Sequence, residues 1–305
     1  MLSRVADSVF WMARYLERTD NVLRLLRTDY IASQDEIMDF DWQKLTDTLS
    51  AKEENPIQVT SYHGALYHLV LSKDHDRSVF TNIVRVRENA RSVQDYITKE
   101  LWQCLNDYYH IIRDPQTENL LIQQDPVTAL DMLLRESIIF YGTVEVTMNR
   151  GDGYTFLNLG KYIERSLQTL DMLELKWNAA DEVTEPISWK YLLYALSGFE
   201  FHTKVYKNAL QTNDVIHQVI FNHQFPHSVI YSLSQIERYF QRLKESSLTE
   251  NFKEMEFLAG KLVKDIQYST LDMDDTAAIK ALVNTTRKQI LNFSHKLTTL
   301  YFGYS

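Results

Sequence analysis

Two stretches of the chain, YLERTDNVLRLL from Tyr15 and YIERSLQTLDML from Tyr162, set the same Glu-Arg pair behind a tyrosine and ahead of leucines at helical spacing. Glu17 and Arg18 are neighbours on a helix, so they point about 100° apart and cannot simply pair with each other. Arg14 lies one turn before both and can reach Glu17 at i,i+3, which leaves Arg18 for another partner. Lys161, Glu164 and Arg165 repeat the arrangement. Each stretch thus offers a locally paired acid and an arginine whose planar fork suits a carboxylate or a phosphate.

Further along, Arg87, Glu88 and Arg91 add a second source of the same chemistry, with the two arginines one turn apart on one helical face. If their helix packs on the N-terminal one, Arg14, Arg18, Arg87 and Arg91 can ring a polar pocket, with Glu17 and Glu88 orienting the guanidiniums or receiving an amine. Such a pocket suits an acyl-phosphate, an adenylate or a peptide terminus. The competing reading is structural: interhelical Arg-Glu pairs fix which helix packs on which, and breaking one buried pair costs about 3–5 kcal/mol.

Standard catalytic constellations are missing. There is no Glu-x-x-His pair for a two-metal bundle site, no Walker loop, no nucleophile elbow and no zinc motif. His223 and His227 have ligand spacing, but Pro226 lies between them and marks a capping turn. GDG at 151–153 has neither a preceding strand nor a following Gly-Lys, so it reads as a hinge between halves. LDMDDTAAIK lacks the glycine and closing glutamate of a calcium loop; Asp274 or Asp275 reads as a helix cap. Neither a cofactor nor a metal is expected.

The elements that must position these residues are helices. Eight Gly and five Pro in 305 residues leave few places for hairpins or irregular loops. Residues 3–30 read as one long helix whose seam runs Val5, Val9, Met12, Leu16, Thr19, Leu23, Leu26, Tyr30. Arg4, Asp7, Trp11, Arg14 and Arg18 form a second stripe, and a tryptophan among arginines predicts a helix covered on both sides. Further helices are expected near 42–50, 61–71, 77–109, 126–149, 154–177, 188–210, 212–222, 227–245, 251–268 and 275–301. Breaks are expected at AKEENPIQVT (51–60) and RDPQTENLLIQQDP (113–126), and a linker at NAADEVTEPIS (178–188).

A second echo, LVLSKDHDRSVFTNI (69–83) with VIFNHQFPHSVIYSL (219–233), has an offset of 150, against 147 for the Glu-Arg helices. Two matches at nearly one offset predict a duplicated unit. The expected architecture is one all-α domain, a multi-helix bundle over 1–305, built from two pseudo-equivalent repeats, about 1–150 and 151–305. In both copies the serine of Ser-Val is expected to cap the following helix.

Charge narrows the partners. The formal charge of −9 argues against a general affinity for nucleic acid or an anionic membrane. No stretch has the length and apolarity to span a bilayer. The single cysteine, Cys104, excludes an internal disulfide and suits a reducing compartment. MLSRVADSVFWMARYLER carries Asp7 and Glu17 and reads as a helix of the folded protein, so the cytoplasm is the expected location. Residues 1–165 hold thirteen Arg and five Lys, and 166–305 hold three Arg and eleven Lys, so arginine chemistry leans toward the first half and the second Glu-Arg helix.

Five ordered motifs carry a resemblance: MLSRVADSVFWMARYLERTDN, RENARSVQDYITKELWQCLN at 87–106, FLNLGKYIERS at 156–166, FPHSV at 225–229 and the closing YF at 301–302. Together they resemble the bacterial alpha-E family, an all-helical family with a Glu-Arg motif. The sequence departs from that pattern at DHDRSV, Tyr154, Lys161 and His227. The resemblance implies association with circularly permuted ATP-grasp proteins and hence an ATP-grasp amide ligase as partner, in peptide synthesis or modification. The expected function is an accessory or co-catalytic partner that binds the ligase or a peptide substrate through an Arg/Glu-lined surface. The alternatives are a transferase or ligase in its own right, and a structural scaffold.

Overall fold

The computed structural model describes residues 2–34, 41–50, 57–179, 185–207, 210–243 and 250–303. Of the break expected at 51–60, residues 51–56 lie outside them; of the linker expected at 178–188, residues 180–184 do, whereas 178–179 and 185–188 are helical. Among the described residues there are fourteen α-helices and no strand. They are α1 Ser3–Ser33, α2 Trp42–Ser50, α3 Tyr62–Leu66, α4 Val79–Ser92, α5 Lys99–Arg113, α6 Pro115–Asn119 and α7 Pro126–Thr147. After these come α8 Asp152–Ala179, α9 Glu185–Ala195, α10 Phe199–Val205, α11 Thr212–Phe221, α12 Val229–Arg242, α13 Glu250–Gln267 and α14 Thr276–Phe302. α3 and α6 each run on into a π-helical turn, Tyr67–Leu71 and Leu120–Gln124.

Local chemistry sets the ends. Pro115 and Pro126 open α6 and α7 at the position where a missing N–H costs nothing, behind Asp114 and Asp125, whose carboxylates accept the next free amides. Asp275 caps α14 through Ala278 N–H, and Gly303 ends it with a φ of 77°. Two expected helices are each divided. The single helix drawn over 77–109 is α4 and α5: Val93 leaves helical geometry at φ −129°, and Thr98 Oγ1 caps α5 through Leu101 N–H. The helix drawn over 188–210 is broken at Ser197, with φ 52°, and Gly198, so α9 and α10 are separate.

The chain divides into two compact units, one of residues 11–149 and one of residues 1–10 with 150–305. The second boundary falls inside NRGDGY. In the 11–149 unit, α4 packs on α5 and α5 on α7, burying Ile83, Val86, Leu101, Leu105, Tyr108, Leu130, Leu133 and Phe140. In the other unit α12 lies between α8 and α13, with α14 against α13. Phe240 stacks on Phe252 at 5.0 Å and meets Phe293 edge-on at 5.7 Å. Phe10 reaches the same unit through Phe302 at 5.3 Å. Gly160 on α8 is where α1 crosses: a Cβ there would sit 2.4 Å from the Phe10 carbonyl oxygen, so only glycine admits the approach.

The two Ser-Val turns share one hydrogen-bond scheme. Ser78 Oγ donates to the Ser72 carbonyl at 2.6 Å and accepts from Thr81 N–H at 3.0 Å. Ser228 Oγ donates to the Asn222 carbonyl at 2.7 Å and accepts from Tyr231 N–H at 3.1 Å. Each serine therefore caps its helix as expected while tying down a carbonyl six residues back.

Candidate functional site

The seam of α1 is buried from Val5 through Leu26, and from Val5 to Tyr30 no residue of the helix is classed as exposed. A helix covered all round cannot leave its charges to water. Arg14 is 7% exposed and Glu17 4%, and both are engaged by other groups. The α8 counterpart has the same character: no residue from Asp152 to Leu170 is exposed, and Glu164 is 2% exposed. Gln168 Nε2 donates to Glu164 Oε1 at 3.0 Å.

On α1 the arginines lie on aromatic rings. The Arg14 guanidinium is 4.8 Å from the centre of Trp11, and Arg18 is 5.6 Å from Trp11 and 5.4 Å from Tyr15. Trp11 and Tyr15 are themselves 5.5 Å apart. Tyr15 is also met from α4 by Arg85, at 5.6 Å, which is fixed in turn by Asp76 through its carboxylate at 2.8 Å and its carbonyl at 2.7 Å. Two rings thus hold three guanidiniums, an arrangement worth roughly 0.5–2 kcal/mol per cation according to how much water is excluded.

Arg85 was not among the sequence candidates, and Arg87 and Arg91 were. The structure turns Arg87 toward α5, where it donates to Asn106 Oδ1 at 3.0 Å and lies over Tyr109 at 4.4 Å and Trp102 at 5.5 Å. Glu88 lies between Arg87, at 3.3 Å, and Arg91, at 3.7 Å. Arg91 is 66% exposed, which makes that pair a weak surface contact. Arg14 and Arg18 are therefore grouped with Arg85, whereas Arg87, Glu88 and Arg91 form a separate cluster with α5.

α8 carries the second layer. Arg165 lies 5.5 Å and Lys161 5.2 Å from the Tyr162 ring. Tyr162 stacks on Tyr239 of α12 at 6.0 Å, and Tyr239 shares a hydroxyl contact of 3.3 Å with Tyr154. Around this tyrosine cluster stand three more cations: Arg150 over Tyr154 at 4.2 Å, Arg242 over Tyr239 at 5.1 Å and Arg238 at 6.0 Å. Burial pushes the Tyr162 hydroxyl well above the ordinary phenol range, with Arg165 opposing. Five cations thus stand around three linked tyrosines in a chain of net charge −9. Arg238 and Arg242 sit one turn apart at i,i+4 in ERYFQR, a signal present in the sequence and passed over because it lies outside both echoes.

These features define an all-helical protein with two buried Glu-Arg helices, each faced by an aromatic layer. A family profile described as a predicted alpha-helical domain with a conserved ER motif, Alpha-E, matches residues 1–302, and the chain belongs to that family. It is also 23% identical over 275 residues to the uncharacterized proteins Mb2597 of Mycobacterium bovis and Rv2567 of Mycobacterium tuberculosis. The matches cover 80% of this chain and 30% of each relative, so the chain spans less than a third of the length of these relatives. No solved structure matches it.

Proposed function

We propose that the protein is an accessory, co-catalytic partner of an ATP-grasp amide ligase in peptide synthesis or modification, working in the cytoplasm. It engages the ligase, or an anionic group of the peptide substrate, through the arginine-aromatic surfaces of α1 and α8. One observation carries this reading: on each Glu-Arg helix the acid is buried and the arginine is laid against aromatic rings. Arginine set against aromatic rings is the residue type that recognises carboxylate and phosphate groups at interfaces. The family's association with ATP-grasp proteins supplies the partner. The mycobacterial relatives support a joint function, because the matched segment is there under a third of a longer chain. The internal duplication belongs to the same proposal, supported by the shared scheme at Ser78 and Ser228.

The test is co-purification with the ATP-grasp ligase encoded beside it, together with assay of the ligase product. A retained complex, weakened by Arg18→Met with Arg85→Gln, is the expected result. Absence of a complex with unchanged product after deletion of this protein overturns the proposal. Turnover by the isolated protein would assign the chemistry to this chain instead.

A further inference from the structure

The 1–10/150–305 unit holds an open cleft of about 390 Å³, at the size where small-molecule sites begin. Its walls are Phe221, Ile230, Ile266, Leu271 and Met273, and His217 is one of its polar members. A chain of hydrogen bonds leads to His217 Nδ1. Gln224 N–H donates to Asn222 Oδ1 at 2.9 Å, which fixes the orientation of that amide. Asn222 Nδ2 therefore faces Tyr206 and donates to its hydroxyl at 3.2 Å. The Tyr206 oxygen lies 2.8 Å from His217 Nδ1, a pair in which the hydroxyl donates when Nδ1 carries no proton. Burial holds the Tyr206 hydroxyl above the ordinary phenol range, so that proton remains available.

With Nδ1 accepting, neutral His217 has its proton on Nε2 and offers a donor. The relay rests on a rigid base. Tyr206 stacks on His202 at 4.8 Å, and buried His202 is held through Nδ1 by Gln218 Oε1 at 2.8 Å. Gln218 is oriented in turn by donating to the Gly198 carbonyl at 2.9 Å. Orienting a surface imidazole through buried groups on α10 and α11 is more than packing requires.

We propose that this cleft binds an uncharged ligand with a hydrocarbon or aromatic body and one carbonyl oxygen, which accepts from His217 Nε2. The walls take the body. No Lys, Arg, Asp or Glu lines the cleft, so it has no fixed charge to neutralise a carboxylate or an amine. His223, Gln267 and Ser269 complete the polar lining, and an amide or ester carbonyl suits such donors. None of the residues involved belongs to the arginine-aromatic surfaces, so this site stands or falls apart from the ligase partnership.

The experiment uses the full chain with ¹⁵N-labelled histidine and ¹³C-methyl methionine, followed by NMR at neutral pH. The probe is 4-methylpentanamide, with 4-methylpentanoate as its charged counterpart. Expected are a His217 Nδ1 resonance of the unprotonated, accepting kind, saturable movement of the Met273 methyl with the amide, and binding of the carboxylate weaker by about tenfold. Because His217 is exposed, its variants keep the fold. His217→Gln, which retains a donor near Nε2, is expected to keep binding, and His217→Ala to lose about tenfold. Tyr206→Phe is expected to release the tautomer to a mixture. A stationary Met273 methyl at millimolar probe, a proton on Nδ1, or equal binding of the carboxylate would each overturn the proposal.

Discussion

At Cys104 the surroundings of α5 decide the chemistry of the thiol. It is 8% exposed, and burial, reinforced by Glu136 and Asp107, pushes it up to about 12. The native protein is expected to resist thiol reagents at pH 8 and to react fully in denaturant, which a colorimetric thiol assay reads directly. The same shift sets a pH dependence. The folded state holds its proton where the unfolded thiol has lost it, so this contribution is complete below about pH 9 and is lost as pH rises toward 12. Buried Tyr108, also raised, acts in the same direction. Denaturant midpoints measured from pH 8 upward should fall, and Cys104→Ser should lessen the fall. Single residues also mark the limit of reading the sequence. Val79, Ile83, Val86 and Ala90 form the buried stripe of α4, with Arg85 and Arg87 on its two flanks. Which flank meets α1 and which meets α5 depends on the break at Val93, and nothing in the helical period announces that break.

Helix ends and crossings carry the next set of expectations. Ser78→Ala and Ser228→Ala remove both a cap and the donor to a carbonyl six residues back, and each should cost about 1–2 kcal/mol. Thermal or urea unfolding checks this, and a loss at only one of them would contradict their equivalent geometry. Gly160→Ala is a harsher change, because the added methyl meets backbone at 2.4 Å and no rotamer can yield. It should cost about 3 kcal/mol or more, through displacement of α1 from α8. At this scale the sequence was informative at Pro126, Ser78, Ser228 and Asp275, where a cap or a proline sets a boundary, but Thr98 and Pro115, which do the same, open helices that were not expected. It was silent where tertiary contact overrode continuous helical periodicity, as at 93–98 and at Ser197.

For the whole molecule, the division into 11–149 and 1–10 with 150–305 leads to a truncation test. Deleting residues 2–10 removes Phe10 from its contacts with Phe302 and Gly160. Hydrogen exchange should then lose protection in 150–305, most of all in α8 and α14, while α5 and α7 stay protected. Protection lost evenly throughout would show that the unit assignment does not govern stability. The all-helical class was legible from the scarcity of glycine and proline. The assignment of the first ten residues was not, because a continuous apolar seam says nothing about which partner each turn of a helix will meet.

The close seat of Phe10 on Gly160 also dictates a timetable. A ribosome must add about 150 more residues after Phe10 before its counterpart emerges, which at bacterial elongation rates is on the order of ten seconds. Throughout that interval the start of the chain carries Val5, Val9 and Phe10 without the surface they will cover. These residues thus wait long for their partner, and nascent chains stalled before Gly160 should be the ones that chaperones hold.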